Sequence, residues 1–447
     1  MPKEPSAFKK KAATIAAKAE QALAGLETRV WEGYVSKVVG LLLEAQLPGA
    51  MVGEVCTIIT QAGVHKTAEV VGFRGDVCLL LLLEEGKGVS QGCKVIPSGK
   101  TFQIGLSNEL LGRVINAVGE PLDHKPAPVY QEWRDIEQAP PDSYGRPRIT
   151  EVFSTGVKAI DGTLSLGRGQ RVGLFAGSGV GKSTLMGMIA RYSEADVNVI
   201  ALVGERGREV QDFIEASLGP EGIKRSVTVI ATGDQPAMMR MKCLMTATTV
   251  AEYFRDQGKK VLLMVDSVTR MAMAARDVGL AVGEPPTMKG YTPSVFSLIP
   301  RVLERAGNST TGSITAIYAV LVEGDDMNEP IADTTRGVLD GHIVLSRRIA
   351  TRNHYPSIDV LGSVSRLFTE IADPQHQRAA GNLRNSMAVY GENEDLINIG
   401  AYERGSSQMI DATIEQKPRI DKFLQQSINE SVPYTETVRQ LKSLFPN

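Results

Sequence analysis

Cysteine is scarce in this chain. Cys56, Cys78, Cys93 and Cys243 are the four present in 447 residues, with no CxxC pair and no companion histidine cluster. Neither a disulfide frame nor a zinc site is implied, and a reducing cytoplasm fits. Charge of one sign is lacking too. The net charge is −2 and aromatics make up 5% of residues. The chain therefore has neither the cationic excess that neutralises phosphates nor a basic, aromatic platform for single strands, and nucleic acid is not an expected partner. No apolar run approaches the roughly 18–20 residues of a membrane span. Leu79 to Leu83 stops at Glu84 and Glu85 and reads as a buried strand. At the N-terminus, Lys18 and Glu20 break an Ala-rich stretch, which makes a poor secretory signal. Residues 1–28 instead read as a helical segment with one face of Phe8, Ile15, Ala19 and Leu23. Such a face suits a solvated helix and a membrane-surface or partner-binding helix equally, so peripheral membrane association stays open.

What is present is a phosphate-binding loop in the right setting. Arg171 to Phe175 is short and apolar and reads as a strand, and Leu185 to Ala190 continues with helical spacing. Between them lie Ala176, Gly177, Ser178, Gly179, Val180, Gly181, Lys182, Ser183 and Thr184. Strand, glycine loop and helix together aim backbone N–H groups and a helix N-terminus at polyphosphate oxygens. Ala176 stands where the Walker pattern asks for glycine. That is a small departure, since the later glycines make the closest phosphate approach.

Three regions flank or contain this loop. Residues 29–120 alternate short apolar runs with Gly, Pro and Asn breaks, the rhythm of a small β-barrel or sandwich. Residues 121–149 carry Pro121, Pro126, Pro128, Pro140, Pro141 and Pro147 and read as a surface linker into an α/β domain extending to 370. In that domain, strands are expected at Arg171–Phe175, Val197–Val203, Val227–Ala231, Lys260–Val265, Ser313–Leu321 and His342–Ser346, alternating with helices around a mostly parallel sheet. Residues 371–447 read as a C-terminal helical domain, with helices over Gln377–Tyr390 and Ile420–Asn429. Met238 to Met245 has helical spacing and reads as core packing. His342 and His354 are isolated and are not expected to bind metal.

Phosphoryl transfer to water needs a positive cradle, a metal site, an oriented water and charge to neutralise the transition state. Lys182 would reach the β- and γ-phosphates, and the Ser183 hydroxyl would ligate Mg²⁺. Val261 to Asp266 is an apolar strand ending in a carboxylate, so Asp266 would hold Mg²⁺ through water. Glu205 directly follows Val197–Val203. The carboxyl ends of parallel strands share one edge, so Glu205, Asp266 and the loop would converge there. A rival reading pairs Glu205 with Arg206 or Arg208 on a solvated loop.

The block Phe175–Thr184, then Gly204 to Glu209, then Asp266 to Arg270 resembles the rotary ATPase family, whose α/β signature matches Pro356 to Ser365. The strings from Glu323 to Asp333, Gly290 to Ser297 and Asp395 to Tyr402 look like the ATPase of type III protein export, in its flagellar or injectisome form. The resemblance runs from about residue 30 to the end. It implies a RecA-like P-loop core between a small β-barrel and a C-terminal helical domain. Carried over position by position, it implies Glu205 as catalytic carboxylate, with Arg206 in the γ-phosphate region and Arg270 in the network beside it. Tyr355 becomes the aromatic that stacks on adenine, and Arg366 the finger that reaches a neighbouring subunit's site. Phe423 is left outside the site.

The resemblance further implies a homohexamer at the cytoplasmic face of the inner membrane. Its expected partners are a stator-like regulator, a coiled-coil stalk, chaperone–cargo complexes and an export gate, with the flagellar system preferred over the injectisome. Rival readings are an ion-coupled rotary subunit, a Rho-type RNA translocase and a non-catalytic ring subunit, the last disfavoured by Glu205.

Overall fold

The computed structural model describes residues 31–142, 144–322, 324 and 326–446. The helix expected over residues 1–28 lies outside these. The chain divides into two compact units.

The first unit is the expected barrel. Strands β1 (Gly33–Val39), β2 (Leu42–Gln46), β3 (Glu54–Ile59), β4 (His65–Arg74), β5 (Val77–Leu82) and β6 (Lys94–Thr101) close in the order β1-β2-β5-β4-β3-β6. Period-two alternation explains the closure. Glu54, Cys56 and Ile58 of β3 are buried while Val55, Thr57 and Ile59 are only partly so. Val35, Leu43, Ile58, Val70, Leu80 and Val95 fill the interior with Cys56, Cys78 and Cys93. Burial pushes the Cys56 thiol up to about 12 and Cys78 to about 11. These cysteines serve as small hydrophobes rather than reactive thiolates.

The second unit is an α/β domain followed by helices. The strands along the path of its large sheet are β7 (Val114–Asn116), β8 (Arg171–Ala176), β9 (Val197–Val203), β10 (Ser226–Ala231), β11 (Lys260–Asp266), β12 (Ser313–Leu321), β13 (Gly341–Leu345) and β14 (Ile358–Ser365). They lie in the order β14-β13-β8-β12-β11-β9-β10-β7, parallel throughout except for β14. Every residue of β9 and β10 is buried, the unbroken apolar run of a sheet covered on both faces. The helices used below are α1 (Lys158–Thr163), α2 (Lys182–Tyr192), α3 (Ala237–Asp256), α4 (Val268–Val282), α5 (Pro374–Asn398), α6 (Gln408–Leu424) and α7 (Tyr434–Leu444). Helix α3 packs over β9, β10 and β11 and buries Met238, Met239 and Met245.

Three sequence expectations need correction. Residues 103–120, read with the barrel, belong to the second unit, because Thr228 to Ile230 offer β7 a parallel edge. Strand β14 was not foreseen. It is an antiparallel edge strand with alternating exposure and an internal Gly362, so it lacks the solid apolar run of its neighbours. Helix α6 stops at Leu424 instead of running to Asn429. Tertiary bonds override helix propensity there. The Gln426 N–H donates to Tyr355 O (3.0 Å), and its side-chain amide donates to Gly156 O (2.7 Å) while accepting from Lys158 N (2.7 Å).

Candidate active site

The phosphate loop joins β8 to α2. Gly181 caps α2 with φ +90°, a conformation L side chains rarely adopt, and a Cβ there would lie 3.5 Å from the Tyr355 ring. The backbone alone calls for glycine there, since a Cβ at that distance would make only an ordinary contact. The Ser357 hydroxyl donates to Val180 O at 2.6 Å and ties the segment after Tyr355 to the loop. Ser178, Gly179 and Ser183 are exposed, Gly177 and Val180 are buried, and Thr184 lies between.

At the carboxyl edge, β8, β9 and β11 bring four charges together. The Lys182 ammonium pairs with Asp266, whose side chain is 3% exposed, and lies 3.8 Å from Glu205 Oε1. Arg270, from the first turn of α4, reaches Glu205 Oε2 at 3.3 Å and also donates to Gly204 O. Ser267 caps α4 by accepting from Arg270 N–H. Gly204 is held at φ +69°, and a Cβ there would come within 2.9 Å of the Arg270 side chain. Burial is the main force raising the Glu205 carboxyl, to about 7. The Glu209 carboxyl and the charge of Asp266 add to it, while Lys182 and Arg270 oppose. Glu209 is held below the usual carboxylate range, chiefly by its hydrogen bond with Glu205. A buried carboxyl poised near neutrality beside a phosphate cradle has the properties of a general base.

Glu205 therefore does not pair with Arg206 or Arg208. Arg206, 81% exposed, lies 3.8 Å from Glu209, and Arg208 lies 3.2 Å from Asp212. Among the described residues no cluster of three or more His, Cys, Asp or Glu side chains could hold a metal. An exposed serine hydroxyl at a helix start with one carboxylate behind it is instead a donor set that fits Mg²⁺, which keeps waters and takes oxygens from phosphates.

Beside the loop opens a cleft of about 1080 Å³, lined by Gly181, Thr184, Tyr355, Lys158 and the segment from Gln425 to Glu430. Tyr355 is 42% exposed into it. The α6–α7 connection was missed in the sequence, since nothing local marks it. Phe423 is buried, and a Cβ on Gly162 would lie 2.7 Å from its ring, so it is core rather than cleft.

Arg366 is at the other end of the sheet. Ser365 pairs with Gly341, the first residue of β13, whereas Ala176 at the root of the loop pairs with Leu345, the last. The four steps along the strand from Gly341 to Leu345 span about 13 Å. The Arg366 side chain is exposed and has no ion-pair partner among the described residues.

Three family models match the chain: the β-barrel domain of the ATP synthase alpha/beta family over residues 35–99, the nucleotide-binding domain of the same family over 156–365, and the T3SS EscN ATPase C-terminal domain over 372–443. The flagellum-specific ATP synthase of Bacillus subtilis strain 168 is 52% identical over 93% of this chain and 95% of its own length. The type 3 secretion system ATPase of Xanthomonas euvesicatoria is 46% identical over 95% and 96%. The assembled ATPase EscN of enteropathogenic E. coli superposes with a TM-score of 0.88 at 46% identity, covering 92% of this chain and 99% of that one. The chain belongs to the ATP synthase α/β family, in the branch of flagellar and type III secretion ATPases, and its substrate is a nucleotide.

Proposed function

We propose that this ATPase works as a homohexameric ring, hydrolysing MgATP to energise protein export through a flagellar type III apparatus. The observation that carries the reading is the split of the site across the sheet. Glu205, Lys182, Asp266 and Arg270 share the carboxyl edge, while Arg366 follows β14 at the opposite end, an arrangement that supports a guanidinium lent by a second copy.

When nucleotide binds, Lys182 exchanges its carboxylates for β- and γ-phosphate oxygens, and the loop N–H groups with α2 hold the remaining phosphate charge. Glu205 orients a water in line with the γ-phosphorus and takes its proton as the new P–O bond forms and the bond to the ADP oxygen breaks. Arg270 keeps Glu205 in place. Arg206 stands on the same loop, beside the γ-phosphate region. The neighbouring subunit's copy of Arg366 would neutralise charge on the transferring group. Ser183, and Asp266 through water, would hold Mg²⁺, which when bound supplies charge neutralisation between the phosphates. Tyr355 stacks on the adenine.

The ring's work is to dock chaperone–cargo complexes, release the chaperone and help unfold cargo for an export gate. It would act at the cytoplasmic face of the inner membrane with a stator-like regulator and a central coiled-coil stalk. Support for the stalk is the EscN structure solved with its central stalk EscO, which matches this chain with a TM-score of 0.86 at 45% identity. The injectisome is the alternative system, supported by the Xanthomonas relative. The test is ATPase activity against protein concentration. Specific activity should rise steeply as rings assemble, and a dilute monomer as active as the ring would remove the shared-site reading.

A further inference from the structure

One buried polar cluster lies outside the catalytic edge, at the start of the phosphate-loop strand. Gln170, fully buried, sits immediately before β8, the strand that ends in the phosphate loop. Its Nε2 donates to Asp340 O at 3.0 Å and to the Ser365 hydroxyl at 3.1 Å, while its Oε1 accepts from Gly167 N–H at 2.7 Å. Asp340 precedes β13 and is the other half of the joint. Its carboxylate accepts from Arg171 Nε (3.1 Å), Nη2 (3.3 Å) and backbone N–H (3.2 Å). The same Asp340 carbonyl also accepts from Arg366 N–H at 3.0 Å. The Ser365 hydroxyl donates onward to Ser165 O at 3.2 Å. Two consecutive residues at the root of the phosphate-loop strand thus hold both the backbone of Arg366 and the residue before it, using every hydrogen-bonding group of the Gln170 amide.

The geometry points to Gln170, with Asp340, as positioning residues for the arginine finger: they fix the base of Arg366 to the strand that carries the same subunit's phosphate loop. This rests on Arg366 acting in a neighbouring site. A guanidinium that must meet a phosphoryl group in another chain has no partner of its own to aim it, so its aim comes from its backbone anchor. Polar groups buried at that anchor fix it more firmly than apolar packing, since breaking the network leaves Gly167 N–H and Ser365 Oγ short of partners. The anchor also joins each subunit's own nucleotide site to the finger it lends. A shift of β8 on nucleotide binding would move the next site's catalytic group.

The test uses mixed rings. Gln170→Ala should bind nucleotide as the wild type does and keep KM, but lose kcat by on the order of 10- to 100-fold, the cost of misplacing a reacting group by about 1 Å. Ser365→Ala, a milder cut of the same anchor, should lose kcat in the same direction and by less, which keeps the test open if Gln170→Ala folds poorly. Co-assembled with Lys182→Ala, whose finger is intact and whose cradle is dead, Gln170→Ala should regain activity above both parents, because its sound phosphate site then meets a well-aimed finger. Weakened nucleotide binding in both anchor variants, or no rescue where Arg366→Ala with Lys182→Ala does show rescue, would overturn the inference. If that control pair also fails, the shared-site reading itself falls.

Discussion

The two ends of the large sheet treat charge in opposite ways. At the carboxyl edge, Lys182, Asp266, Glu205 and Arg270 are buried or half-buried and satisfied by one another. At the far end Arg366 is exposed, and the care has gone into its backbone through Asp340 and Gln170. A buried charge must be paired within its own chain, or its desolvation is uncompensated. An exposed one can wait for a partner at little cost. The subunit thus neutralises the charges of one edge within itself and leaves the charge at the other end exposed.

The largest predicted effect breaks the far end. Arg366→Ala should keep nucleotide affinity and ring assembly yet lower kcat by on the order of 10³, the scale of an arginine finger. Equilibrium binding beside steady-state turnover would decide it, and full activity would show that the far end of the sheet has no part in the chemistry. Breaking the carboxyl edge at its base comes next. Glu205→Gln preserves shape and removes proton acceptance, so turnover should fall by on the order of 10²–10³ with ATP still bound. A wild-type rate would mean that another group orients the water.

How much of this was legible in sequence follows the same divide. Strands buried on both faces announce themselves as solid apolar runs, so all six expected strands appear as β8 to β13, and the residues at their carboxyl ends converge because parallel topology leaves them no other edge. The edge strand β14 and the three-residue β7 carry no such signal. The lining from Gln425 to Glu430 was hidden because Gln426 is held by contacts more than 260 residues away along the chain, which no local pattern records. Gln170 was illegible for a related reason: its partners Asp340 and Ser365 are brought near only by the sheet order. Arg366, Arg206, Arg270 and Tyr355 drew their proposed roles from resemblance alone.

The smallest effect sharpens the comparison from the side of the carboxyl edge. Burial lifts the Glu205 carboxyl to about 7, well above the usual carboxylate range, against the pull of Lys182 and Arg270. A carboxyl with its folded value raised holds a proton that the unfolded chain has already lost. It therefore contributes stability below the ordinary carboxylate range, and that contribution is lost as pH rises to about 7. Catalysis runs the other way, since only the ionised form accepts a proton from water. With kcat/KM reporting the nucleotide-free enzyme, its value should rise by about tenfold between about pH 6 and pH 8, while the residual activity of Glu205→Gln stays flat over the same range. Arg366→Ala leaves the buried carboxyl in place, so it should keep the wild-type slope at a lower level. If the slope disappeared with Arg366 and survived in Glu205→Gln, the group that titrates would not be the buried carboxylate, and the division of labour between the two ends would have to be redrawn.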